Sequence, residues 1–520
     1  MQLSGPLLAR PADVFNILEV GLATKPDALA LTLASNSWTW RQLEETSDRL
    51  ARNLLGLGLE PGDRVASLMP NRCELIIHYL ACVRAGLIAT PLNYRYMAPE
   101  IDHALEVSGA RILLFHTERE PDLAKSRLAG KLPLGLISFG SDSPGTSSFA
   151  ALCSMEAPQR DLSAPNPKAP AAIFFTSGST GKPKGVTHSL ESLGWMIASG
   201  VEALELKPDD VMLPGASISH IGGFLFAFIA FAAGAPAVVA KSFDGHELLP
   251  LFREYRPTVL WVLPAALFGL IRDHDATHDD FASIRICFSG RDKVSDVLEK
   301  EYMALAGATV EEEYGMTEFG MATFNPPPGL DKLGSIGCLM PGFTAEICDE
   351  SGAGLEVGEA GQLWIKSPCN TIGYWENPAA TAETIQDGWL NSGDIVRVDE
   401  DGFFWFHGRK KQIIIHDGSN ICPQEVEEAV VAHEAVEIAG VVGVHNTVHG
   451  ENVWAYITIK EGAAAPSDTE IIRFARERVG YKAPEKIIVL DEMPLNATGK
   501  VDRVTLKKLA AGQLSRREPG

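Results

Sequence analysis

The stretch from Phe174 to Ser189 reads FFTSGSTGKPKGVTHS. Four hydroxyl side chains, Thr176, Ser177, Ser179 and Thr180, are interleaved with Gly178, Gly181 and Gly185 and followed by Lys182 and Lys184. That set suits a polyphosphate. Glycines let backbone N–H groups close on the anion, hydroxyls donate further hydrogen bonds, and lysines add positive charge. A lone Gly/Ser stretch is ordinarily a surface loop, and this one is not the common nucleotide loop. That pattern carries a Gly six places before a Lys that Ser or Thr follows. Here Thr176 stands at the Gly position and Pro183 follows Lys182. Further along, Tyr314-Gly315-Met316-Thr317-Glu318 offers an aromatic face for a base, a close backbone approach and a hydroxyl for a phosphate. Its carboxylate suits Mg²⁺.

Something must position these groups. Ile173-Phe174-Phe175 is a short apolar run and reads as a buried strand entering the first stretch. Upstream, residues 28–34 and 38–40 read as strands, and Thr39 with Gln42 forms a capping box for a helix ending near Gly56. Strands over 64–69 and 88–92 flank a helix over 74–86. That alternation predicts parallel-rich sheets covered by helices. Residues 119–170 are rich in Pro, Ser and Gly and read in part as surface loop. The acidic run Glu311–Glu313 reads as a solvated face. Ile221–Ala240 carries no charge over about the length of a membrane span. Gly222, Gly223, Gly234 and Pro236 divide it, so a buried helix leading into a buried strand fits better. At the N-terminus no basic segment precedes an apolar core, so no secretory signal is expected.

At 520 residues the chain is too long for one core, and at least two domains are expected. A net charge of −22 argues against nucleic acid and anionic membranes as partners. Eight cysteines without a Cys-x-x-Cys point to reduced thiols in a cytoplasmic setting. The His274/His278 and His445/His449 pairs lack a cysteine pair and read as surface histidines, so no structural metal is expected.

Taken in order, the motifs resemble those of the adenylate-forming superfamily, which includes acyl-CoA synthetases, firefly luciferase and the adenylation domains of peptide synthetases. The likeness spans nearly the whole chain. It implies an α/β N-terminal domain over 1–407 and a small α+β C-terminal domain over 408–520 that pivots at Lys411. It also implies activation of a carboxylic acid by ATP with Mg²⁺, then transfer to CoA. By the resemblance, residues 176–182 with Lys184 hold the phosphates. Gly290, Tyr314 and Gly315 border adenine, Thr317 contacts a phosphate, and Glu318 serves Mg²⁺. Asp394, in Gly388-Trp389-Leu390-Asn391-Ser392-Gly393-Asp394, accepts from the ribose hydroxyls; the family commonly has Thr where this chain has Ser392. Arg409 adds a ribose and phosphate contact. Gly418 and Ser419 border the pantetheine channel. Lys500, in Pro494-Leu495-Asn496-Ala497-Thr498-Gly499-Lys500, bridges the acid carboxylate and the α-phosphate.

His220 matches a gate between acid pocket and thiol tunnel, and Trp261, Pro264 and Phe268 resemble the apolar pocket wall. The chain departs from the family at Arg291-Asp292-Lys293, where small residues usually follow Ser-Gly. Those charges point either to solvent or, at Arg291, to a second acidic group on the substrate. The expected substrate is a hydrophobic fatty or aryl monocarboxylate. A dicarboxylate, or a carrier-protein phosphopantetheine as acceptor, is the alternative. A luciferase-like oxygenase lacks support, since nothing specifies a luciferin. A dead ATP-binding scaffold would be expected to have lost Glu318, Asp394 or Lys500. A homodimer is compatible with this class.

Overall fold

The computed structural model describes the chain except residues 1, 35, 142, 177–182, 291–293, 326–331, 417–418, 447–449, 497–498 and 516–520. The side chains at 411, 415, 419–420, 450, 481 and 514–515 also lie outside the description. The chain divides into two compact units. The first is Met1–Glu346 with Trp364–Ser392 and Asp399–Trp405; the second is Ile347–Leu363, Gly393–Val398 and Phe406–Gly520. The chain passes between them within the strands Thr344–Cys348, Ala360–Lys366 and Trp389–Val398.

Two parallel-rich sheets dominate the first unit. One is centred on Arg64–Leu68, which pairs in parallel with Ile88–Pro91 on one side and Ile112–His116 on the other. Pro170–Thr176 continues it in parallel, and Lys184–Ser189 returns antiparallel beside it. The other runs in parallel through Leu29–Leu33, Ala237–Val238, Met212–Gly215, Val259–Val262, Ile286–Ser289 and Val310–Met316. Gly320–Phe324 is added antiparallel. Such sheets need cover on both faces. One face of the second sheet packs Leu213, Leu260 and Val262 against Phe252, Leu267 and Leu298.

The Ile221–Ala232 helix is buried all round: Phe224, Phe226, Phe228 and Phe231 expose at most 2% each. Each such ring contributes about 2–3 kcal/mol relative to an exposed one, which stabilises a helix with no polar face. At 12 residues it is too short to span a bilayer, and no helix among the described residues is long and apolar enough to do so. As expected, the run continues into a short strand, Ala237–Val238. The Thr39 capping box is formed: the Thr39 hydroxyl accepts from the Gln42 N–H at 3.2 Å, and Gln42 Oε1 accepts from the Thr39 N–H at 2.9 Å. The helix runs Trp40–Gly56.

Two expectations need correction. Within 119–170 the expected surface loop spans residues 155–168, irregular and mostly exposed, but the part before it is more ordered than its composition suggests. Leu136–Phe139 is a parallel strand beside Ile112–His116, and the Phe149–Ser154 helix docks on Trp40–Gly56. There Asn53 donates to the Leu152 carbonyl at 2.8 Å. A four-residue strand among Gly, Ser and Pro is too short to show a period of two. The acidic run is also not a solvated face, because Glu311 and Glu312 are 4% and 6% exposed. It lies in a strand interior, and chemical type alone does not report that. Of the paired histidines, His278 and His445 are exposed as expected, while His274 is half-buried and packs edge-on to His246; His278 meets the Leu305 carbonyl, and His449 lies outside the described residues. All eight cysteines are free thiols.

The second unit is α+β. Val436–Asn446 and Gly450–Ile459 form its long antiparallel pair, with Lys486–Val489 parallel to the latter. The helices Pro423–Val431 and Asp468–Val479 pack on one face around Val426, Val441 and Ile471; the Arg503–Ser515 helix packs on the other around Trp454, Tyr456 and Leu506.

Candidate active site

In the first unit the site is built where the two sheets present strand ends. Pro170–Thr176 is buried along its length and pairs with Lys184–Ser189, with Thr176 opposite Lys184. Ser177, Gly178, Ser179, Thr180, Gly181 and Lys182 fall between them and lie outside the described residues. The Lys184 ammonium sits 5.0 Å over the Tyr374 ring, and the Tyr374 hydroxyl donates to Glu318 at 2.9 Å. Glu318 is 6% exposed. From Lys184–Ser189, His188 donates through Nε2 to the Thr317 carbonyl at 2.8 Å. The Thr371 N–H donates to the Glu318 carbonyl at 2.6 Å, while its hydroxyl donates to the Thr187 carbonyl at 2.5 Å. The Tyr314–Glu318 segment is thereby fastened to the strand that leaves the glycine-rich stretch.

Sequence reasoning singled out neither His188 nor Tyr374. His188 lies two residues after Val186, on the same face of the strand, and could have been read as inward-facing; no spacing marks Tyr374. Burial holds the His188 imidazole neutral, with its pKa lowered to about 4, and the same is true of His78 in the Cys73–Ala85 helix. An unfolded histidine titrates near 6.5, so the unfolded chain binds more protons between pH 6.5 and 4. Stability is then full above pH 6.5 and falls as pH drops through this window. Between pH 7 and 5 each histidine costs about 2 kcal/mol. We expect the thermal midpoint to fall over that range, and His78→Leu to recover part of the fall. An identical fall in the variant would remove His78 as a cause.

A second group gathers at the carboxyl ends of Val259–Val262, Ile286–Ser289 and Val310–Met316, where ligands of open α/β sheets bind. Trp261 stacks obliquely on Phe226 at 5.6 Å, Phe226 meets Phe288 edge-on at 5.3 Å, and Phe288 meets Phe324 at 5.6 Å. Gly290 and the nearly buried Tyr314 end the neighbouring strands, and Gly315 is exposed. Glu313, also missed, reaches into this group. The Trp261 indole N–H donates to it at 3.4 Å. Its carboxylate lies over Gly290, where a Cβ would stand 2.1 Å from Oε1.

His220 is half-buried and precedes the Ile221–Ala232 helix. Pro264 is buried at the first turn of Pro264–Arg272. Phe268 does not join Trp261. It packs on the core of the other sheet face, with the Arg272 guanidinium 4.5 Å above its ring. Arg291 lies outside the described residues.

In the second unit Asp394 is 1% exposed on the buried face of Trp389–Val398 and pairs with Arg409 at 3.1 Å. Lys411 lies in a short 3₁₀ turn, Lys410–Gln412. Ser419 begins a strand paired with Ile414–His416, and Gly418 lies outside the described residues. Lys500 occupies a tight turn. Its N–H donates to Asn496 Oδ1 at 3.1 Å, its carbonyl accepts from the Asn496 N–H at 2.7 Å, and Leu495 bridges Val501. Gly499 has φ +83°, a conformation that glycine adopts without strain. Just beyond, Arg503 donates to Glu427 at 2.6 and 2.8 Å, and Glu427 also accepts from the Val441 N–H.

The comparisons with known proteins define the class as an adenylate-forming ligase. A family model described as "AMP-binding enzyme" matches residues 18–375, and one described as "AMP-binding enzyme C-terminal domain" matches 425–500. The 2-succinylbenzoate–CoA ligase of Geobacillus kaustophilus is 34% identical, covering 93% of this chain and 95% of its own. The fatty acid–[acyl-carrier-protein] ligase ScoC of Streptomyces coeruleorubidus is 31% identical, covering 95% of each. Among solved structures, ATP-bound MatB from Rhodopseudomonas palustris superposes with a TM-score of 0.87 at 29% identity, covering 95% of this chain and 98% of that one. The chain belongs to the AMP-binding enzyme family, as an ATP-dependent, AMP-forming acyl-CoA synthetase.

Proposed function

We propose that the protein joins a hydrophobic monocarboxylic acid, fatty or aryl, to free CoA. The observation that carries the nucleotide site is the fastening of Thr317 and Glu318 to the strand leaving the glycine-rich stretch, through His188 and Tyr374. An acid carboxylate oxygen attacks the α-phosphorus of ATP, the bond to pyrophosphate breaks, and an acyl-adenylate forms. The CoA thiolate sulfur then attacks the acyl carbonyl, the carbonyl–oxygen bond to AMP breaks, and the thioester remains. Charge builds on the α-phosphoryl oxygens in the first step, so preorganised donors there count most. Lys500 and Thr317 fill that role, and residues 176–182 with Lys184 hold the outer phosphates.

Tyr314, Gly315 and Gly290 border the adenine, and Asp394 and Arg409 take the ribose. His220, Trp261 and Pro264 line the acid, with Phe268 supporting them from the core side. Gly418 and Ser419 flank the pantetheine arm, and Lys411 is the hinge between functional domains over 1–407 and 408–520. Glu318 fits Mg²⁺: a buried carboxylate together with substrate phosphate oxygens is the oxygen set this ion takes. It would neutralise phosphate charge there. A cytoplasmic homodimer is the expected form.

The relative named as an acyl-carrier-protein ligase favours a second acceptor, a carrier-protein phosphopantetheine. Pyrophosphate release across fatty, aryl and dicarboxylic acids tests the first step, and thioester formation with free CoA tests the acceptor. We expect monocarboxylates with hydrophobic tails to score highest and free CoA to accept the acyl group. Preference for a dicarboxylate would overturn the substrate class, and thioester formation on a carrier protein alone would overturn the acceptor.

A further inference from the structure

We propose that Arg503 is a positioning residue for adenylation: its pair with Glu427, together with a close seat at Gly440, sets where the Lys500 turn stands on the second unit. The proposal rests on the reading of Lys500 as the donor to the α-phosphate and adds the residues that hold it there.

Three observations carry it. The chain between the turn and the pair has little freedom. Leu495 bridges Val501, and the Asp502 N–H donates to the Pro494 carbonyl at 2.8 Å. Asp502 Oδ1 then accepts from the Val504 and Thr505 N–H groups at 3.0 and 3.2 Å, capping the helix that Arg503 opens three residues beyond Lys500. Next, Arg503 is anchored largely away from water. Its guanidinium donates to both oxygens of Glu427, at 2.8 and 2.6 Å, and the two side chains are only 19% and 13% exposed. Glu427 Oε1 also accepts from the Val441 N–H at 2.6 Å. One carboxylate thus joins the Pro423–Val431 helix, the Val436–Asn446 strand and the helix after Lys500. Removing either charge would strand the other, which fixes the pair in one geometry.

The third observation is steric and independent of the charges. Gly440 is buried on the Val436–Asn446 strand, and a Cβ there would stand 2.6 Å from Leu506 Cδ1 and 2.7 Å from Val501 Cγ1. Those residues lie on either side of Arg503 in the chain, so the strand receives this segment at a glycine and has no room for a larger residue. A transition-state donor must be placed closely, since a shift of about 1 Å can cost on the order of 10²-fold. Loosening the seat should therefore slow the half-reaction that uses Lys500 and spare the one that does not.

The test measures two single-turnover rates with the acid that gives wild type its fastest pyrophosphate release. One is acyl-adenylate formation from acid and ATP; the other is thioester formation from supplied acyl-adenylate and CoA. Full-length wild type, Arg503→Met, Gly440→Ala, Lys500→Ala and the Arg503→Met/Lys500→Ala double variant are compared by the ratio of the two rates. Each ratio is taken within one protein, so a lowered folded fraction cancels. Arg503→Met and Gly440→Ala should each lower the ratio by roughly 10–10²-fold. The double variant should match Lys500→Ala, because Arg503 acts through Lys500. If Arg503→Met does not fold, Gly440→Ala decides, since it leaves the ion pair intact. An unchanged ratio overturns the proposal, as does a double variant in which the two losses multiply. A ratio unchanged in Lys500→Ala overturns the donor reading beneath it, and wild type that releases pyrophosphate with no acid overturns the ligase reading itself.

Discussion

Lys500→Ala is expected to slow acyl-adenylate formation by roughly 10²–10³, the loss expected for one transition-state donor. Thioester formation from supplied acyl-adenylate should persist. The turn supports this separation. Lys500 is held by its backbone, through Asn496 and the Leu495–Val501 bridge, and none of those contacts uses the ammonium. Removing the side chain beyond Cβ therefore leaves these backbone contacts in place. The neighbouring anchor is separate as well, since Arg503 is tied to Glu427 on the Pro423–Val431 helix. Single-turnover assays of each half-reaction decide the matter. If both halves fall equally, Lys500 acts through the fold, and its assignment as a donor fails.

What could be read from the residues, and what could not, divides along physical lines. Elements with strong local signals were legible: the Thr39–Gln42 capping box, and the all-apolar helix over Ile221–Ala232 that ends before a short strand. So was the parallel-rich α/β character of the first part of the chain, because strands alternate with helices at readable spacing; the α+β character of the C-terminal part rested on the family resemblance alone. Leu136–Phe139 was not legible, since four residues carry no period and the sheet neighbour Ile112–His116 supplies the reason for the strand.

The same holds within the site. Motif residues such as Tyr314, Glu318 and Asp394 are named by order along the chain. His188, Tyr374 and Glu313 matter through contacts made across long sequence separations, between Lys184–Ser189 and Thr317, or between Trp261 and Gly290. Glu311–Glu313 shows the limit most sharply. Three carboxylates in a row resemble a solvated face, yet the strand buries two of them and turns the third among aromatic rings. Phe268 is the converse: it has the right type for a pocket wall, but its helix turns it toward the core.

Asp394→Ala should lower kcat/KM for ATP by roughly 10²–10⁴-fold, chiefly through KM. Two ribose hydroxyls each lose a bond to an ionised acceptor, and such bonds contribute about 1.5–3 kcal/mol. Losing both equally in ground and transition states raises KM and leaves kcat nearly unchanged. The structure adds a second consequence. Asp394 is 1% exposed and faces Arg409 at 3.1 Å, so the variant also frees that guanidinium. Arg409 is about half exposed, and water compensates most of its charge, so the loss of the pair itself should be small. Asp394→Asn separates the two effects. It keeps an oxygen for the ribose but loses the charge that holds Arg409, and should fall between wild type and Ala. Arg409→Ala gives the remaining corner, and if the pair matters only for positioning, its effect should not add to that of Asp394→Ala. ATP affinity by calorimetry, beside the steady-state constants, is the deciding measurement. Unchanged affinity in Asp394→Ala would place this carboxylate outside the nucleotide site and leave it an internal anchor of the Trp389–Val398 strand.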